Sequence, residues 1–157
     1  MAFNKHFVGN NVTVEIADAP ANGGQATDFT LIEDIAAFPQ MASAESTVVT
    51  VNVFGEKYVD KIIGSRSVPD LTISVNWKPG AVGQGLLDSA LASDKLVQIK
   101  VTYYQNISDK DGAAYYSIVN GYVISGNNNG DFDAIVTRDY VVSITGGPVA
   151  VGQVSGS

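Results

Sequence analysis

The chain has 157 residues, 45% of them hydrophobic, a formal net charge of −7, one histidine and no cysteine. That length suits a single domain with a buried core, and the acidity excludes the basic footprint with which proteins grip nucleic-acid phosphates. The missing cysteine excludes disulfides, thiolate zinc sites and cysteine nucleophiles, and with no apolar run near the ~20 residues that span a bilayer, no membrane association is expected.

The charge is unevenly spread. Residues 1–55 carry six acids and one base, residues 56–100 five acids and six bases, and residues 101–157 five acids and two bases. The N-terminus, Met1 to His6, has no apolar h-region, so it does not read as a signal peptide, and a soluble protein made in the cytoplasm is expected.

Val12, Val14 and Ile16 alternate with Thr13, Glu15 and Ala17, the period of a first strand. Asp18 to Thr27 holds Pro20, Gly23 and Gly24 and reads as a loop. Phe29 to Ile32 is a short second strand. Glu33 to Ala44 fits neither period, and Pro39 limits any helix there. Thr47, Val49, Val51 and Val53 mark a third, β-branched strand. Phe54 to Pro69 carries Glu56, Lys57, Asp60, Lys61 and Arg66 between the breakers Gly64 and Pro69. It reads as a long hairpin or a projecting loop, and it is the most basic stretch of an acidic chain.

From Leu71 the pattern sharpens. Leu71, Ile73, Val75 and Trp77 face one way, and Thr72, Ser74, Asn76 and Lys78 the other, with Trp77 read as a core anchor. Val82, Leu86, Leu87, Ala90 and Leu91 recur at helical spacing after Pro79-Gly80, and Ser93-Asp94 ends that helix. Val97, Ile99, Val101 and Tyr103 then alternate with Gln98, Lys100, Thr102 and Tyr104. Tyr115 to Ser125 is a strand whose faces are poorly sorted. Gly126-Asn127-Asn128-Asn129-Gly130 is a hairpin turn signal, since Asn and Gly tolerate positive φ. A last strand runs from Ala134 to Ile144, with Thr137, Asp139 and Ser143 on its polar side. The tail from about residue 149 is small, polar and expected to be flexible. About seven strands and one helix make a mainly β protein, an antiparallel β-sandwich or partial barrel with one flanking α-helix.

Nothing in this pattern carries obvious chemistry. His6 lies at the N-terminal end and has no triad partners in view. Gly80 to Gly85 sits between strand and helix but lacks the Lys-Ser/Thr of a phosphate loop. Asp109-Lys110-Asp111-Gly112 and Asp131-Phe132-Asp133 match no full calcium loop, and aspartates favour turns through their own backbone hydrogen bonds. No catalytic residue, metal site or cofactor is expected. Polar-faced sheet without chemistry points to a protein that acts by making a surface, with sheets completed by copies of itself.

The order of motifs carries a resemblance. A strand ending Val75-Asn76-Trp77-Lys78-Pro79-Gly80 leads to a helix through Leu86 to Leu91, then to strands at Val97 to Val101 and Asn120-Gly121-Tyr122-Val123-Ile124-Ser125, and to a close at Ser143-Ile144-Thr145-Gly146-Gly147-Pro148. Over about residues 45–150 this resembles the major tail tube proteins of long-tailed bacteriophages. The resemblance implies a single tail tube domain over residues 1–157 and a structural role in the virion tail, assembled in the host cytoplasm. It implies homohexameric rings that stack into a tube around a lumen, through which viral double-stranded DNA passes without specific binding. The tape measure protein and tail terminator or tip proteins are the implied partners. Residues 54–69 occupy the place of the loop that reaches the neighbouring ring, with Glu56, Lys57, Asp60, Lys61 and Arg66 as candidate contacts. Candidate lumen residues are Thr72, Ser74, Asn76, Gln98, Thr102, Thr137, Asp139 and Ser143. Lys78, Lys100 and Arg138 fit such a wall only if they pair with acids or face elsewhere, because free cations would hold the DNA.

Two other readings compete. A carbohydrate- or ligand-binding β-sandwich would use the tyrosines Tyr103, Tyr104, Tyr115, Tyr116, Tyr122 and Tyr140, but lacks a secretion signal. An enzyme with a barrel pocket lacks a nucleophile motif.

Overall fold

The computed structural model describes residues 9–41, 43–105 and 113–154. Among these, nine strands and one helix follow in the order β1 (Val12–Asp18), β2 (Thr30–Leu31), β3 (Glu45–Val51), β4 (Asp60–Ser67), β5 (Leu71–Asn76), α1 (Val82–Ser93), β6 (Val97–Tyr104), β7 (Ala114–Asn129), β8 (Thr137–Ile144) and β9 (Ala150–Val154). All pairs are antiparallel. One sheet runs β2-β1-β6-β7-β8-β5, with β9 also on β7, and curls into a half-barrel; β3 and β4 form a separate two-stranded ribbon. The expected mainly β partial barrel with one helix is therefore the architecture.

The alternating apolar residues of five strands converge on one core. Val14 and Ile16 (β1), Leu71, Ile73 and Val75 (β5), Val97, Ile99 and Val101 (β6), Val119 and Val123 (β7) and Tyr140 and Val142 (β8) are all buried, together with Leu87 and Ala90 of α1. Period two on the strands and the Leu87/Ala90 spacing on the helix place these side chains on facing surfaces. The helix crosses the Leu31–Ile32 backbone so closely that a Cβ at Gly83 would lie 2.3 Å from Leu31 O. Its C-terminus is Asp94, in the left-handed conformation at φ 54.

One short segment ties the two outer strands together. β2 pairs with β1, and the Ile32 N–H donates to Val14 O at 2.9 Å. A few residues on, Ile35 bridges Val75, the Ala36 N–H donates to Ser74 O at 2.8 Å and the Asn76 N–H donates to Asp34 O at 2.7 Å. Among the described residues, borders without a strand partner include the outer sides of β2, β3, β4 and β9, and the β7 stretch from Tyr122 to Asn129 on the side away from β8.

Several expectations need correction. Residues 54–69 are not a loop throughout: β4 occupies Asp60–Ser67 and pairs with β3, so the hairpin alternative holds. The tail from residue 149 is not free, because β9 pairs with β7 from Ala114↔Val154 to Ile118↔Ala150. It continues the line of β8 along β7; the Thr145 N–H donates to Asn120 O and the Val149 N–H to Ile118 O across the Gly146-Gly147-Pro148 break. The asparagine run at 127–129 is not a turn but the end of β7, paired with β8, and the connection is 130–136. Neither Gly126 nor Gly130 has positive φ. Gly126 is instead small because a Cβ there would sit 2.9 Å from Arg138 Nη2 and 3.2 Å from Tyr140 Cδ1. Trp77 is 41% exposed and does not anchor the core. His6, Asn106 to Gly112 and the last three residues lie outside the described residues.

Asp88 fastens the helix to the sheet. The Tyr140 hydroxyl donates to Asp88 Oδ1 at 2.9 Å, and Arg138 Nη2 lies 3.3 Å from the same oxygen. Burial, and then the hydrogen bond to Asp88, push the Tyr140 hydroxyl up to about 12 from its ordinary 10.0. Below pH 10 both folded and unfolded chains keep this proton, so the stabilisation is fully present; above it the unfolded chain loses its proton first. Melting temperature is expected to fall as pH rises from 10 through about 12, and Tyr140→Phe to flatten that fall. Parallel alkaline profiles for the two proteins would contradict this account.

Candidate assembly surfaces

The ribbon is the least covered part of the described residues. Every residue of β3 and β4 is exposed. Its apolar residues include Val48 (51%), Val49 (45%), Ile62 (56%) and Ile63 (64%), and the connecting turn adds Phe54 and Tyr58. An isolated two-stranded hairpin is marginally stable in water, and contiguous exposed apolar surface marks an interaction site. The register separates its two faces. Val48 is opposite Ile63 and Thr50 opposite Lys61, while Val49 is opposite Ile62 and Val51 opposite Asp60. A bulge on β4 then returns Arg66, opposite Ser46, to the Val48 face. One face is thus apolar with Lys61 and Arg66, and the other apolar with Asp60. None of the ion pairs among the described residues involves Glu56, Lys57, Asp60, Lys61 or Arg66. The sequence-based emphasis on charge missed the apolar pairs, although the valine run of β3 signalled them.

A polar face lies on the outer strands of the half-barrel. The register stacks three rungs: Thr72, Val141 and Ser125; Ser74, Asp139 and Asn127; Asn76, Thr137 and Asn129. The Ser74 hydroxyl donates to Asp139 Oδ1 at 2.6 Å, and Asn129 Nδ2 donates to Asp139 Oδ2 at 2.8 Å. Ser143 extends this face opposite Tyr122. The rungs contain a carboxylate and no cation. Ser125, Asn127 and Asn129 belong to the face because of a second bulge: Val123 is opposite Val142 but Ser125 opposite Val141, so Ile124 is the extra residue and the side-chain parity of β7 flips after it. That flip also explains the poorly sorted faces of this strand in the sequence.

Two candidate wall residues are elsewhere. Gln98 is 1% exposed and Thr102 3%. Gln98 lies under the loop after β1, where Nε2 donates to Gly24 O at 2.6 Å and Oε1 accepts from the Ala26 N–H at 2.8 Å. Thr102 sits opposite Thr13 and Tyr116 within the sheet. Both are sealed inside the subunit, and neither faces a channel.

The three doubtful cations are all engaged. Lys78 lies 4.0 Å from Asp34, Arg138 pairs with Asp88, and Lys100 lies over the rings of Phe29 (5.4 Å) and Tyr116 (5.3 Å). The tyrosines form no single platform: Tyr103 and Tyr115 share one face of β6 and β7, Tyr116 lies on the other, and Tyr140 is fully buried. Among the described residues no group of three or more His, Cys, Asp or Glu is placed to hold a metal ion.

No family model matches the chain, and no curated protein matches it in sequence. Solved structures match it in shape. The SPP1 tail tube superposes with a TM-score of 0.60 at 14% identity, covering 96% of this chain and 80% of that one. The tail of the empty gene transfer agent particle, refined with C6 symmetry, gives 0.63 at 15% identity, covering 92% and 96%. The six-fold symmetrised baseplate of the anti-feeding prophage gives 0.65 at 11% identity, covering 98% of both chains. The protein has the fold of phage tail tube subunits.

Replacing Val49 and Ile62 by Asp is expected to change the stability of the dispersed protein by no more than about 0.5 kcal/mol, as for other exposed positions. The same change should abolish concentration-dependent association in sedimentation velocity, because burying such side chains contributes about 1.5–3 kcal/mol each. Unaltered association would show that the ribbon is not an interface.

Proposed function

We propose that the protein is the structural subunit of a bacteriophage tail tube, in which hexameric rings stack around a lumen that viral double-stranded DNA traverses. The carrying observation is the ribbon, apolar on both faces and uncovered along its whole length, in a chain whose fold is that of subunits from assembled tails. The unpaired borders of β7 and β9 supply further edges that a neighbour can extend, because an open strand edge pairs readily with another chain. The tape measure protein and the terminator or tip proteins would meet the tube at its bore and its ends. The role is structural and involves no turnover of a substrate.

The polar face of β5, β8 and the end of β7 is the proposed bore wall, with Thr72, Ser74, Asn76, Thr137, Asp139 and Ser143 in it. Each phosphate neutralised by Lys or Arg adds salt-dependent affinity for DNA. A wall with one carboxylate per subunit, both of whose oxygens are hydrogen-bonded, lets the polyanion pass without capture.

Negative-stain microscopy of the purified protein at high concentration is expected to show rings or tubes. A strictly monomeric particle at every salt concentration and with seeding would overturn the reading. Tubes of the Thr72→Lys variant should retain duplex DNA at low salt and release it as salt rises, while wild-type tubes should not retain it. Equal retention by both would place Thr72 outside the bore.

A further inference from the structure

The connection between β7 and β8 ends in a second exposed apolar feature. The Ala134 N–H donates to Asp131 O at 3.2 Å, closing a turn that lifts Phe132 to its crest. Phe132 is 103% exposed and Ile135 72%. Asp131 and Asp133 stand on either side of Phe132 in the chain, both are exposed, and Asp131 Oδ1 accepts from the Phe132 N–H at 2.7 Å. None of the described residues covers this crest, and it combines apolar surface with negative charge.

Its complement lies beyond the other end of β5. β5 begins at Leu71, a few residues after the ribbon's last residue, Ser67. It ends at Asn76, opposite Thr137, and the next residue, Trp77, donates its N–H to Val136 O at the root of the crest. Ribbon and crest therefore root at opposite ends of one strand. The Val48–Ile63 face of the ribbon carries Lys61 and Arg66, the sign that complements Asp131 and Asp133. A surface at one end that fits a different surface at the other generates a head-to-tail contact, which repeats without closing.

We infer that the Asp131-Phe132-Asp133 crest of one copy docks on the Val48–Ile63 face of the ribbon of a second copy, with Lys61 and Arg66 beside the two carboxylates, and that this contact joins successive rings. The pairing rests on the tube-subunit reading above and adds to it the counter-surface of the ribbon. The phenyl ring supplies buried apolar area, as aromatic anchors do at interface centres. The charges set register and exclude the acidic Asp60 face of the ribbon, since like charges brought together oppose docking.

The test is a charge exchange read by tube length in electron micrographs and by pelleting, with the fold of each variant checked by circular dichroism. Asp131→Lys with Asp133→Lys should shorten tubes several-fold or leave single rings, and Lys61→Glu with Arg66→Glu should do the same. Combining all four changes in one chain should restore long tubes. Phe132→Ala should shorten tubes without altering the melting temperature. Wild-type protein that stays monomeric overturns the tube reading and this pairing together. Wild-type tubes that form normally, with tube length unaffected by the crest reversal, overturn the pairing alone. Failure of the four-fold variant to recover, when both reversals shorten tubes, assigns the crest and the ribbon to different partners and also overturns it.

Discussion

Covering apolar surface is the constraint on which the rest of the structure depends. The seven-stranded sheet meets it internally: one face receives α1, and the stretch from β2 to Ala36 hydrogen-bonds to β1 and β5, joining the outermost strands. With the body so closed, none of the described residues covers β3 and β4. Their valines and isoleucines stay in water on both sides. The incompleteness expected of this protein is thus located in the ribbon and the free stretches of β7 and β9, and not along the whole border of the sheet.

Most of the architecture was legible in the sequence because it follows the simplest periodicities. The pattern names Leu71, Ile73 and Val75 of β5, Leu87 and Ala90 of α1 and Val97, Ile99 and Val101 of β6, all of them buried; it does not name the buried Gly83, Gln84, Gln98 and Thr102, and it names Val82, which is exposed. The readings that failed share a physical cause. Local propensity reads Gly126 and Asn127 to Asn129 as a turn, yet Gly126 leaves room for Arg138 and Tyr140, and the asparagines pair across the sheet. β9 is Ala, Val, Gly, Gln and Val, in which Ala and Gly offset the strand preference of the two valines, and it pairs with the edge that β7 offers. Tertiary pairing overrides propensity in both cases.

The candidate surfaces were partly legible. Alternation correctly put Thr72, Ser74 and Asn76 with Thr137 and Asp139 on one face, since each pair sits in register on neighbouring strands. Alternation alone says only that Gln98 and Thr102 point away from the core. It cannot say that the loop holding Gly24 and Ala26 folds over Gln98, a contact spanning more than seventy residues of sequence. The sign segregation of the ribbon was hidden for a related reason: it depends on the bulge that returns Arg66 to the face of Lys61, and no residue type announces where that extra position falls.

The single surplus residue of β7 has a further meaning. Before Ile124 the odd-numbered positions Val119, Gly121 and Val123 look inward; after it Ser125, Asn127 and Asn129 look outward. One strand contributes to the interior in its first half and to the polar outer face in its second, and the switch is a matter of counting. Loss of one residue here would transpose the two roles, driving amides into hydrocarbon and Gly126 and Asn128 to the outside. Loss of two would leave the order intact, so the tolerance of this segment to length variation is set by whether the change is odd or even.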